Sequence, residues 1–384
     1  MKSITTFGGF VLLAVASLTI MVGCVIVPGL TRISEGLGVA GLDSWLVTVP
    51  SLGVVVFGPL VAMLLPRIGL RNGLRLGLFL YGLLGAGAVL LQGAWLVLAD
   101  RLLLGGATAL IMASGTGLLS QFYSGSERLA MIARQGMAIE LGGVLFLFVG
   151  GLLAVAAWGL PFVLYLFAWA LWLCVELAIP PTARAAHGEG NVQGNERIPG
   201  TLWRVYVAAT LSMMVFFCAV ISLPRQLQGL GLSEAQVGYF LSGVSLVAVF
   251  AAALMPRASA WLGDMGTLVM AFICYGVAHT LFCLGDGLPL YLLGGIALGS
   301  GFGLSIPMVN HMTVEQSAEH QRGRTLAYLS MAIFLGQFLS SLLEVVPGSS
   351  STALGAAALV SLAAAVLLQV WHLQVRGRLA RRPS

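Results

Sequence analysis

The chain has 384 residues, 59% of them hydrophobic and only 9% charged, with a mean hydropathy of +0.98. A water-facing domain carries about 25% charged residues, so a soluble globular protein is excluded and most of the surface must face lipid. The net charge of +5 does not signal a nucleic-acid partner, because the basic residues are scattered between apolar runs instead of forming one patch.

Each bilayer crossing takes roughly 20 apolar residues, so about twelve crossings are predicted. Spans are read near residues 8–30, 43–65, 73–92, 95–120, 129–156 and 160–180, then 202–223, 235–255, 265–284, 288–310, 324–346 and 351–373. They are predicted helices, since lipid leaves an open strand edge unsatisfied. The first run, Phe10 to Leu30, is too long for the apolar core of a signal peptide and reads as a retained helix. The longest polar stretch, Thr182 to Gly200, reads as a cytoplasmic linker. The chain is thus divided into 1–181, a linker at 182–201, and 202–384, two six-helix bundles of an all-α membrane protein.

Of the 19 Lys and Arg, only Arg32, Arg101 and Arg225 fall on one set of alternate loops. This positive-inside pattern places both termini in the cytoplasm and requires an even number of spans. Cys24, Cys174, Cys218, Cys274 and Cys283 all lie in apolar runs with no CxxC pair, so neither a zinc site nor a disulfide framework is expected. No metal and no cofactor is predicted.

The two halves overlay at an offset of about 190. Ala62-Met63-Leu64-Leu65-Pro66-Arg67 matches Ala252-Ala253-Leu254-Met255-Pro256-Arg257. Met137-Ala138-Ile139-Glu140-Leu141-Gly142 matches Met331-Ala332-Ile333-Phe334-Leu335-Gly336. Leu37-Gly38-Val39 matches Leu230-Gly231-Leu232, and Leu103-Leu104-Gly105-Gly106 matches Leu292-Leu293-Gly294-Gly295. A parallel duplication of a six-helix unit is a transporter architecture, with a solute site near the midplane.

Four further stretches carry a family likeness. Pro66-Arg67-Ile68-Gly69-Leu70-Arg71 follows the second span, and Asp100-Arg101-Leu102-Leu103-Leu104-Gly105 opens the fourth. The fifth holds Gly142-Gly143 and Gly150-Gly151, and the second half holds Leu223-Pro224-Arg225-Gln226-Leu227. With these stretches the chain resembles the major facilitator superfamily over essentially its whole length, in the look of bacterial drug and metabolite efflux members. The family's loop pattern is Gly-x-x-x-Asp-Arg-x-Gly-Arg-Arg/Lys. This chain keeps Arg67, Gly69 and a displaced Arg71, with Pro66 in place of Asp and Ala62 in place of the leading Gly. The resemblance implies a gating role for Arg67, Gly69 and Arg71, and likens Arg101 to an element of proton-coupled members. It also implies that spans 1, 4, 7 and 10 line the cavity. Met21, Cys24, Thr108, Ser114, Met213, Ser300 and Asn310 are then the candidate lining residues. That set suits an amphipathic or weakly polar solute.

Glu140 is the sharpest candidate for chemistry. It lies in an apolar run, roughly 18 Å along its helix at 1.5 Å per residue, near the centre of a core about 30 Å thick. A carboxylate there must be paired, hydrated or protonated, which is what a proton carrier needs. Arg101 falls at a similar depth on the preceding span and is read as either its partner or a static anchor paired with Asp100. Gly136, Gly143 and Gly150 recur every seven residues on the same predicted face and are read as a helix-packing stripe. Arg134 is expected to reach the interface, and His279 to be a packing histidine. Gly299-Ser300-Gly301-Phe302-Gly303 lacks the spacing and context of a nucleotide loop.

Together these readings predict a proton-coupled exporter working by alternating access, most simply as a monomer. Its expected partners are a small-molecule solute, protons and the lipid bilayer. An importer or uniporter of the same fold and a transport-inactive sensor are the alternatives. The sequence carries no Walker A, HExxH or GxSxG pattern, so an enzyme is not expected.

Overall fold

The computed structural model describes residues 4–180, 200–285, 287–318, 321–344 and 350–380. The linker expected at 182–201 lies almost wholly outside them. Among the described residues eleven helical stretches are long and apolar enough to cross a membrane. One of these, Glu234–Leu284, is broken at Gly263, where φ is 73° and ψ 165°. That break gives it two arms and brings the crossings to about twelve.

In chain order, α1 (Thr6–Cys24) is capped by Thr5, whose hydroxyl accepts from the Gly8 amide at 3.1 Å. A turn at Val27–Gly29 carrying Pro28 leads into the short α2 (Leu30–Gly36). Then come α3 (Asp43–Ile68), α4 (Leu70–Gly87), α5 (Ala94–Phe122) and α6 (Gly125–Ala156). A tight 3-10 stretch, Leu160–Leu166, opens the sixth crossing before α7 (Phe167–Ala178). The second half holds α8 (Gly200–Gly229), the two-armed α9 (Glu234–Leu284), α10 (Leu288–Glu315), α11 (Arg322–Glu344) and α12 (Ser350–Ala380). Prolines sit inside α3, α8, α9 and α10. Membrane helices tolerate them because neighbouring groups satisfy the freed carbonyls.

The chain separates into two compact units. The first is Met1–Glu196 with Gly231–Ser242, and the second is Arg197–Leu230 with Gly243–Ser384. The start of α9 therefore groups with the first unit, to which Ser242 ties it by donating to the Val144 carbonyl at 3.0 Å.

Small residues set the close helix crossings, because lipid supplies no hydrophobic force between helices. In the first unit a Cβ added at Gly105 would strike the Pro50 carbonyl oxygen and lie 2.7 Å from Gly53 Cα. Gly142 abuts Ser17 of α1, and Gly150 abuts the Val25 carbonyl. In the second unit Gly299 abuts the Val244 carbonyl, and Gly336 the Thr210 carbonyl.

These contacts correct the repeat register. Gly105 and Gly299, Pro50 and Val244, and Gly142 and Gly336 are each 194 positions apart, and each pair does the same work in its unit. The Leu-Leu-Gly-Gly match at residues 103 and 292 is out of step, and Gly294 instead faces the Phe282 ring. The Pro-Arg match of Pro66 with Pro256 is one helical turn out of step. The turn glycines that follow, Gly69 and Gly263, restore the spacing of 194. Both have positive φ with extended ψ, 86° and 153° against 73° and 165°, a region essentially closed to side-chain-bearing residues.

Candidate functional site

Glu140 is half-buried on α6. The glycine contacts at Gly142 and Gly150 hold that helix against α1. No ion pair or hydrogen bond engages its carboxylate among the described residues. One turn earlier, Gln135 donates to Thr116 of α5 at 2.9 Å. Arg134 is exposed and donates to its neighbour Met131 through Nη1, 3.6 Å from the sulfur. A carboxylate without a protein partner in apolar surroundings needs water or a proton to persist. It can exchange that proton without first breaking a salt bridge.

Arg101 does not meet Glu140. It is 1% exposed and donates to its own neighbour Asp100, with Nη2 at 2.9 Å and Nε at 3.2 Å from Oδ2. Its guanidinium also lies 5.6 Å from the Phe162 and Tyr165 ring centroids. Nη1 reaches the Tyr165 hydroxyl, and Nη2 the Leu84 carbonyl, each at 3.5 Å. Of the two roles read from sequence, the geometry is that of the anchor paired with Asp100. Equal depth along two helices does not fix the direction each side chain points around its axis.

Two tyrosines missed in the sequence complete this cluster. Tyr81 donates to the Leu18 carbonyl at 2.7 Å and Tyr165 to the Val22 carbonyl at 2.8 Å, both on α1. Their signal was a hydroxyl inside an apolar run, which has to find an acceptor when buried. Gly85 makes room, since a Cβ there would enter the Tyr165 ring.

In the loop motif, Arg67 is exposed and Gly69 supplies the turn. Arg71 pairs with Glu176 of α7 at 2.9 Å, and Arg75 pairs with the other oxygen of the same carboxylate. Glu176, too, was not singled out from sequence.

A family profile described as Major Facilitator Superfamily matches residues 6–341, and again 205–383. The chain belongs to the major facilitator superfamily. Solved structures share this superfamily fold. A D-xylose–proton symporter aligns with a TM-score of 0.74 at 17% identity, covering 94% of this chain and 96% of its own. A mutant of the peptide transporter POT aligns at 0.74 and 14%, covering 96% and 94%. A bacterial homologue of the human lysosomal transporter Spinster, inward-facing and unoccupied, aligns at 0.69 and 15%, covering 99% of each chain. No protein of curated function matches.

Among the lining candidates read from the sequence, Met21, Cys24, Thr108, Ser114 and Met213 are buried within their own units. Thr108 donates to the Leu104 carbonyl at 2.8 Å, and the Ser114 hydroxyl has no protein partner. Ser300 and Asn310 are half-buried and donate to the carbonyls of Ile296 at 2.8 Å and Ile306 at 2.9 Å. Most of these polar groups are thus taken up by their own helices. The packing stripe read from sequence divides: Gly150 touches α1 and Gly143 is buried, whereas Gly136 meets open space.

The second unit holds a hydroxyl cluster at its core. Ser212 lies 3.0 Å from the Tyr275 hydroxyl and 2.7 Å from Ser305, which is 3.0 Å from Tyr275. His279 is fully buried and bonds through Nε2 to the Val215 carbonyl at 2.9 Å.

Proposed function

We propose that this superfamily member is a secondary active transporter that exports a small amphipathic or weakly polar solute in exchange for protons, by alternating access. It works as a monomer in a bacterial cytoplasmic membrane with both termini inside, and it is a carrier, not an enzyme. The observation that carries the reading is Glu140, an acid on a membrane-spanning helix with no ion-pair partner among the described residues, two residues before the Gly142 contact with Ser17 of α1. Protonation there changes the local charge by one unit next to a helix of the expected cavity, and a transport cycle needs a step of that kind. The solute class follows from lining candidates that, Ser114 apart, are sulfur-bearing or already bonded to their own helices.

The test uses inverted membrane vesicles carrying an imposed proton gradient, with a panel of amphipathic solutes. Export by exchange dissipates the gradient when solute is added. Glu140→Gln abolishes proton-driven solute movement while the purified variant keeps its melting temperature. Proton-driven accumulation that persists in Glu140→Gln removes this residue from the mechanism. Proton movement of the opposite sign makes the chain a symporter, and no solute-linked proton movement makes it a sensor.

A further inference from the structure

We infer that the face shared by α4 and α7 binds the phosphate of an anionic phospholipid, gripped by Arg71 and Arg75 beside Trp172. Two guanidiniums converge on the single carboxylate of Glu176, so one positive charge is left over. Arg71 donates through Nη2 to Glu176 Oε2 at 2.9 Å and to the Glu176 carbonyl at 3.3 Å, and its Nε has no protein partner. Arg75 lies 5.9 Å from the Trp172 ring centroid and donates to Asn72 Oδ1 at 3.4 Å. Its side chain is 38% exposed, so the surplus charge is presented at the surface.

The placement matches an amphiphile. Arg71 and Arg75 lie in the opening turns of α4, and Glu176 in the last turn of α7. Further along the same two helices, Leu76, Phe79, Trp169 and Leu173 are between 40% and 57% exposed. Trp169 is fixed there, stacked on Phe79 at 6.1 Å and donating to the Phe79 carbonyl at 3.1 Å. In a membrane chain such a floor faces acyl chains. Tryptophan and arginine at the end of a span are groups that settle at headgroup level. A guanidinium pair takes phosphate oxygens through several donors in a fixed fork. A free anion would use the arginines and leave the apolar floor idle, so the occupant is a lipid.

The test is native mass spectrometry of the purified, delipidated full chain offered equal phosphatidylglycerol and phosphatidylcholine. Wild type retains phosphatidylglycerol preferentially, and Arg75→Gln lowers that preference roughly fivefold, the factor for one cationic contact at a lipid surface. The double variant Arg71→Gln/Arg75→Gln removes the preference. Glu176→Gln keeps both arginines and frees them, so it raises phosphatidylglycerol retention and reports on the site even if the arginine variants unfold. Millimolar inorganic phosphate leaves the lipid adducts in place. Equal retention of the two lipids by wild type, no change in Glu176→Gln, or displacement by inorganic phosphate each overturns the proposal.

Discussion

The two units hold their leading helices by different means. In the first, α1 is gripped by two tyrosine hydroxyls, with a buried Arg101–Asp100 pair behind Tyr165. In the second, the middle of α8 is held by neutral groups, while nearer its ends Arg204 stacks on Trp371 and Ser222 donates to the Glu344 carboxylate at 2.9 Å. Tyr275 stands 194 positions on from Tyr81 and meets Ser212, which stands 194 on from Leu18. His279 stands 194 on from Gly85 and takes the Val215 carbonyl. The positions 194 on from Asp100, Arg101 and Glu140 are Gly294, Gly295 and Phe334. At these matched positions one backbone plan therefore closes with charge or without it. Burying an ion pair is often no better for stability than packing apolar groups in its place. The charges of the first unit are thus not demanded by the scaffold, which fits a working role for that side of the molecule.

The largest effect that would sharpen this contrast is at Arg101. Arg101→Ala strands Asp100, which is 7% exposed, and should cost about 3–5 kcal/mol in reversible unfolding of the purified protein. Asp100→Leu/Arg101→Leu should cost clearly less than the single change. If the double variant is the worse of the two, the unit does depend on its buried charge. Next come the paired crossings. Gly336→Ala drives a methyl into the Thr210 backbone, whereas Gly142→Ala meets the Ser17 side chain, with Cβ at 2.7 Å. Both should fall in the range of about 1–3 kcal/mol for overpacking, with Gly336→Ala the larger. A reversed order in thermal melts would break the equivalence of the two crossings. The smallest effect concerns the hydroxyls. Tyr81→Phe should cost about 0.6 kcal/mol, a usual value for a membrane hydrogen bond. Tyr275→Phe should cost less, because Ser212 and Ser305 remain bonded at 2.7 Å.

The crossings were legible because bilayer thickness forces long apolar runs, and a run's length survives any change of neighbour. The break at Gly263 fell between the predicted spans 235–255 and 265–284, but α9 stays helical well beyond residue 255. Its exposed Trp261 and Leu262 continue the helix past the point where hydropathy alone ends it. Depth along a helix could be counted, which placed Glu140 and Arg101 at one level. Angle around the axis could not, so the neighbouring Asp100 took the arginine. The repeat was visible, but its register was blurred wherever leucine and glycine recur. Only backbone contacts such as Gly105 on Pro50 fixed it. Glu176 was passed over because nothing in its own span announces the two arginines that reach it from α4.

The tyrosine grip on α1 has a mechanical consequence. The Leu18 and Val22 oxygens lie one turn apart on a single side of that rod, and each is keyed to a different neighbour, α4 and the Leu160–Leu166 stretch. Spinning the rod about its long axis would shear both keys together, whereas tilting it along with those neighbours strains neither. The rotation of α1, and with it the placement of buried Met21 and Cys24, is therefore set by its neighbours, and any movement of this helix is made as a passenger of the block it is pinned to.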